Sequence, residues 1–86
     1  WKFSKLPAAF PGDGWSGAIN GIPRSDGKRV VFTSRIERRA ALYGFTDAEH
    51  PALLAAWKLS GNPDIADFHA GKVVIPCGYA GVLLQK

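Results

Sequence analysis

The sequence has a single cysteine, Cys77, and therefore no intrachain disulfide. That excludes the bridge-stapled scaffolds of small secreted proteins and places the chain in a reducing compartment, the cytoplasm by default. No apolar run approaches the roughly 18 to 20 residues of a membrane span. The first residues also lack the charged-then-apolar order of a secretion signal, so no membrane is expected among the partners. Strong metal donors are equally scarce. His50, His69 and Cys77 are all the imidazole and thiol groups present, fewer than a closed structural zinc site needs and without the close spacing of metal motifs. Neither Gly12-Asp13-Gly14 nor Gly78-Tyr79-Ala80-Gly81 has the glycine spacing and lysine of a phosphate loop joining a strand to a helix. No metal and no cofactor is expected.

What the chain does have is enough apolar material for one core. Eighty-six residues, 47% hydrophobic with three Trp, five Phe and two Tyr, predict a single folded domain over residues 1–86. A domain of this size buries only roughly 60 to 65% of the surface its unfolded chain exposes. Its stability is modest, so a homodimer or another partner is a natural supplement.

Glycine and proline divide the chain into three parts. Up to about Gly27, Pro7, Pro11-Gly12-Asp13-Gly14, Gly17, Gly21 and Pro23 predict extended pieces joined by turns, with Trp1, Phe3, Phe10 and Trp15 as core anchors. Ala18 to Arg24 and Lys28 to Ile36 flank Ser25-Asp26-Gly27, a hairpin signal. Period two in the second strand puts Val30, Phe32, Ser34 and Ile36 on one face, and Arg29, Val31, Thr33 and Arg35 on an outer one.

The middle part reads as helical. Ile36, Ala40 and Tyr43 recur at i, i+4 and i+7 ahead of Gly44, predicting a short helix from about Glu37 to Tyr43, with strand continuation as the alternative. Thr46-Asp47-Ala48-Glu49 has the form of a capping box ahead of a helix carrying Leu53, Leu54 and Trp57, up to Ser60-Gly61. Asn62, Pro63 and Asp64 predict the start of a third helix that ends at Gly71, with Ile65 and Phe68 inward. After it, Lys72 to Pro76 and Gly81 to Gln85 form a closing hairpin around Gly78. The expected fold is α+β: a small single domain with an antiparallel sheet of two hairpins and two or three helices inserted between them. The helices would cover one sheet face and leave the other for water or a partner.

The stretch Gly17-Ala-Ile-Asn-Gly-Ile-Pro-Arg-Ser-Asp-Gly-Lys-Arg-Val-Val-Phe-Thr-Ser-Arg-Ile36 resembles a pattern in short, uncharacterised proteins of phages and prophages. Shared with them are a Gly, an apolar-Pro-basic step, an Asp-Gly turn and a Thr-Ser-x-apolar ending. The resemblance covers residues 17–36. Those proteins more often have His where this chain has Ile22, and they seldom carry the central helices. The resemblance implies a mobile-element accessory protein and assigns no residue a role.

Charge supplies the functional expectation. Of 11 Lys and Arg residues, six lie between positions 24 and 39: Arg24, Lys28, Arg29, Arg35, Arg38 and Arg39. Only Asp26 and Glu37 offset them there, so this window holds the whole net charge of +4. Arginine's planar fork suits bidentate contact with phosphate or carboxylate, and the Thr33 hydroxyl lies among these side chains. The window predicts a binding surface for an anionic macromolecule, with DNA or RNA favoured over an acidic protein surface. Regulation by occupancy, without catalysis, is the leading function. Second is a phage or mobile-element protein that binds and inhibits a host protein. Third is an enzyme using Cys77 as nucleophile, with His50 or His69 as base. A buried apolar cysteine is the commoner reading of that position. The Asp64 and Asp67 pair is likewise better explained by helix capping than by acid-base chemistry.

Overall fold

The structure is a computed structural model that describes residues 6–10, 23–47 and 49–85. Over these residues the chain is almost entirely β. Strands β1 (Arg24–Ser25), β2 (Arg29–Ser34), β3 (Arg39–Gly44) and β4 (Ala52–Lys58) form one antiparallel sheet in chain order. Strands β5 (Asp67–His69), β6 (Lys72–Pro76) and β7 (Val82–Leu84) form a second, with a 3₁₀ turn at Gly78–Ala80 between the last two. None of the three expected helices is present among the described residues, so the α+β expectation is overturned. No described helix is long and apolar enough to cross a membrane.

Both expected hairpins form. In the first, Gly27 takes φ +98°, and Asp26 Oδ1 accepts from the backbone N–H groups of Lys28 (3.1 Å) and Arg29 (2.8 Å). That bonding explains why Asp-Gly marks the reversal. The expected first strand from Ala18 is observed from Arg24 onward; residues 18–22, like Trp1, Phe3 and Trp15, lie outside the described residues. In the closing hairpin, Cys77 donates its backbone N–H to the Gly81 carbonyl (2.7 Å), setting the register that pairs Ile75 with Leu83.

The expected helix over 37–43 is instead a tight turn and a strand. Residues 35–38 reverse the chain with Arg38 at φ +53°, and Ser34 Oγ accepts from the Glu37 N–H (3.3 Å). Ala40, Ala41, Leu42 and Tyr43 are all buried, as a strand covered on both faces requires, and such a run carries no reliable period. At the capping box, Asp47 accepts from the N–H groups of Glu49 and His50, making a single turn. Pro51 lies beyond the first turn of any helix capped by Thr46. Its ring would clash with the carbonyl four residues back, and it pushes His50 toward extended backbone. The chain then enters β4. Farther on, the Asp64 N–H donates to the Pro76 carbonyl (2.9 Å), which ties residues 62–66 to the second sheet rather than to a helix.

The two sheets meet across one core. Val31, Ala40 and Leu42 face Ala66, Val73, Ile75 and Cys77, with Ala55, Trp57, Leu59 and Phe68 around them. The face of β2 carrying Val31 and Thr33 is therefore interior, not outer. The opposite face of the first sheet is partly covered too. Phe32 and Tyr43 meet edge to face at 5.8 Å, and the Tyr43 hydroxyl donates to the Pro7 carbonyl (2.8 Å). Burial pushes the Tyr43 phenol above its ordinary pKa.

The β5–β6 turn has a residue that fits its conformation poorly. Ala70 and Gly71 both take positive φ, +50° and +79°, as a two-residue type I′ turn demands. Left-handed backbone costs an alanine about 1 kcal/mol that asparagine largely avoids. Ala70 is exposed. Ala70→Asn, which writes Asn-Gly into the turn, is expected to stabilise by about 0.5 to 1 kcal/mol, roughly 2 to 8 °C in Tm. Thermal melts of the two proteins side by side check this, and an unchanged Tm would count against the turn conformation.

Candidate anion-binding surface

Strand β2 carries the basic window through the fold and splits it. Its six residues rise about 3.3 Å each, so Arg29 at its start and Arg35 just beyond its end lie roughly 20 Å apart. Five of the six basic side chains lie toward one end or the other of the first sheet rather than in one patch.

Toward one end, Lys28 is exposed at the tip of the hairpin, and Arg24 is exposed on edge strand β1, part-way along the sheet opposite Val31. Arg29 has a different position. Its guanidinium reaches Asp26 Oδ2 through Nη2 (2.7 Å) and Nε (2.8 Å), donates to the Gly71 carbonyl (2.6 Å) and lies 4.9 Å over the Phe68 ring. Three partners on two sheets make Arg29 a clamp, with little of its charge left for a ligand. The same hydrogen bond from Arg29, helped by the Lys28 N–H, holds the Asp26 carboxyl below its ordinary pKa. A groove of about 430 Å³ opens here, lined by Lys28, Arg29, Thr46, Asp47, His50 and Leu54 among others. In it His50 Nδ1 lies 2.9 Å from Asp47 Oδ2.

At the other end, Arg35 is exposed and only 3.8 Å from Asp64 Oδ1, a surface ion pair of small energetic consequence. Arg38 is exposed and donates from Nε to Asn62 Oδ1 (3.0 Å). Arg39 stands apart from them. Its guanidinium lies 4.7 Å over the Phe10 ring on the outer face of the first sheet. Thr33 is 3% exposed, opposite Ala40, and is a core residue out of reach of any macromolecule. Of the seven residues expected at the site, Arg24, Lys28, Arg35 and Arg38 remain as exposed cations. The internal role of Arg29 had one signal in the sequence, the Asp26 three residues before it. Nothing local in the sequence announced Asn62 as a partner of Arg38.

Cys77 is 5% exposed, and its thiol donates to the Ile75 carbonyl at 3.5 Å. The hollow beside it is lined by Trp57, Lys58, Leu59, Ser60 and residues of the β6–β7 hairpin, with no histidine among the described residues. His50 is engaged with Asp47 and His69 lies opposite Lys72, so the structure brings neither to the thiol as a base. Nor do any three His, Cys, Asp or Glu side chains among the described residues gather as a metal site would require.

Comparison with protein-family models, with curated proteins and with solved structures gives no match. The reading of function therefore rests on this chain's own residues.

Proposed function

We propose that the protein is a small, non-enzymatic binding protein that holds an extended anionic polymer, with nucleic acid as the favoured class. One observation carries the reading. Lys28 at one end of β2, and Arg35 and Arg38 at the other, present exposed cations about 20 Å apart, with Arg24 exposed between them opposite Val31. A compact anion cannot engage both ends, whereas a polymer with charge repeated along its length can. Phosphate contacts of this kind position the partner without reading its sequence. Regulation by occupancy of the partner is the mechanism, and a cytoplasmic location and a mobile-element origin belong with this reading.

Four phosphate contacts predict a slope of log K against log salt of about −3 to −4, or roughly a 50- to 150-fold loss of affinity between 50 and 200 mM salt. The test is binding to labelled single- and double-stranded DNA and RNA over that range. Arg24→Ala with Lys28→Ala, and separately Arg35→Ala with Arg38→Ala, should each halve the slope. Arg29→Ala is the wrong probe, because it removes the clamp between sheets. Binding insensitive to salt, or no binding at 50 mM, would sink the nucleic-acid reading and direct the same side chains to an acidic protein surface.

A further inference from the structure

Among the described residues the two sheets have four edge strands, and three carry charge or a bulge that discourages pairing with another chain. Strand β1 has only two residues and bears Arg24. Strand β5 has three, with Asp67 and His69 at its ends. Strand β4 shifts register between its pairings with Leu42 and Tyr43, a bulge, and ends in the exposed Lys58. Strand β7 is as short as β5 but carries no charged residue and no bulge. From Gly81 to Gln85 the sequence is Gly-Val-Leu-Leu-Gln, without charge or proline, and Val82 and Leu84 are 63% and 56% exposed.

The register shows which backbone groups this edge offers. Cys77 donates to the Gly81 carbonyl and Gln85 to the Val73 carbonyl, and Ile75 pairs with Leu83. Antiparallel ladders alternate. The backbone groups of Gly81, Leu83 and Gln85 therefore point at β6, and the N–H and C=O groups of Val82 and Leu84 point away from the sheet. No described strand meets them.

We infer that β7 is the interface of a homodimer, in which it pairs antiparallel with β7 of a second copy about a two-fold axis at Leu83. The occupant follows from self-complementarity. Pairing Val82 with Leu84 of the second copy satisfies the outward groups of both residues on both chains, and it brings apolar side chains together on one face. Two chains of net charge +4 repel one another over most of their surfaces, but no charged side chain lies between Gly81 and Gln85. Arg35 shares a hollow with Val82, and Asp64 in the same hollow offsets its charge. The pairing joins the three-stranded sheets of two protomers into one of six strands. It leaves Arg24 and Lys28, on the first sheet, free for the proposed polymer.

Sedimentation equilibrium of the full chain over a wide concentration range, at 50 and 500 mM salt, tests the dimer separately from polymer binding. The expected result is a mass that rises from one chain to two with concentration and is not lost at the higher salt, where the polymer would be. The double variant Val82→Lys, Leu84→Lys places charge on two exposed side chains and should keep the mass of one chain, with an unchanged far-UV spectrum. As a second probe, Leu83→Cys lies opposite its own copy at a separation suited to a disulfide, and mild oxidation should give a covalent dimer. The wild type, with its one thiol buried, should not. A wild type that keeps the mass of one chain throughout, which would leave the edge to a strand of some other protein, overturns the proposal. So does a folded lysine variant that dimerises as well as the wild type.

Discussion

Gly61→Ala is expected to lower the melting temperature by more than about 10 °C, a large effect for the addition of one methyl group. Gly61 lies where the chain crosses from the first sheet to the second. A Cβ placed there would fall inside the Cys77 carbonyl oxygen and 2.8 Å from the Ala80 Cβ. Neither neighbour can easily give way. The Cys77 carbonyl accepts from the Ala80 N–H at 3.2 Å, and one residue earlier the Pro76 carbonyl accepts from Asp64. Relieving the clash therefore means moving a hydrogen-bonded turn. Overpacking costs about 1 to 3 kcal/mol where side chains can adjust, and a clash against backbone belongs at or above the upper end of that range. A domain of 86 residues has roughly 4 to 13 kcal/mol in all. Gly44→Ala is the control, since the nearest atoms its Cβ would meet belong to the flexible side chain of the exposed Leu54, at 3.2 Å. Melts of both variants beside the wild type decide the matter. A Gly61→Ala protein as stable as Gly44→Ala would mean that the crossing segment does not pack on the β6–β7 turn.

Leu42→Ala should be as damaging for the opposite reason. Leu42 is 1% exposed and lies between Val31 and Ala55 on the interior face of the first sheet, against the core residues of the second. Truncation loses the transfer energy of the side chain and leaves a cavity, about 2 to 5 kcal/mol for a buried leucine. Set against the same total of roughly 4 to 13 kcal/mol, that is at least about 15% of the stability of the domain and, toward the upper end, most of it. In urea the midpoint should fall steeply with little change in slope. Leu84→Ala, on the exposed edge strand, should stay within about 0.5 kcal/mol of the wild type at concentrations where the chain is a monomer. Equal midpoints for the two variants would show that the core is not where the two sheets meet.

The features legible in the sequence were those fixed by local chemistry. Asp26 and Gly27 mark a turn because the carboxylate accepts from the Lys28 and Arg29 N–H groups and glycine accepts positive φ. Lys72 to Pro76 reads as a strand because its β-branched residues favour one. The helices failed where tertiary context decides. Ala52 to Lys58 is apolar at six of seven positions, which fits a helix stripe and a buried strand equally well. The bulge opposite Tyr43 then sets Leu53 and Leu54 out of alternation and imitates helical spacing. At Asn62-Pro63-Asp64, cap chemistry is present, but Pro63 is buried and Asp64 is bonded to the end of β6. The burial of four consecutive residues in β3 has no local signal, because it depends on a second sheet on one side.

The candidate site was legible as a count and not as a shape. Sequence proximity placed six cations in one window, but along a strand sixteen residues reach from one end of a sheet to the other and back. The positions of Arg29 over Phe68 and Arg39 over Phe10 depend on residues 39 and 29 positions away in the chain, so which arginines remain available was not written locally.

In both sheets every ladder joins strands that are consecutive in the chain, across connections of two to seven residues. Closing such short loops costs little entropy, so each meander is assembled from neighbours. The docking of one sheet on the other is different, because it brings Val31 and Leu42 to Val73 and Ile75 from distant parts of the chain. During folding it is the step with the longest reach. Until it is complete, each meander shows an apolar face to water, and the interval before docking is when this protein is most exposed to aggregation.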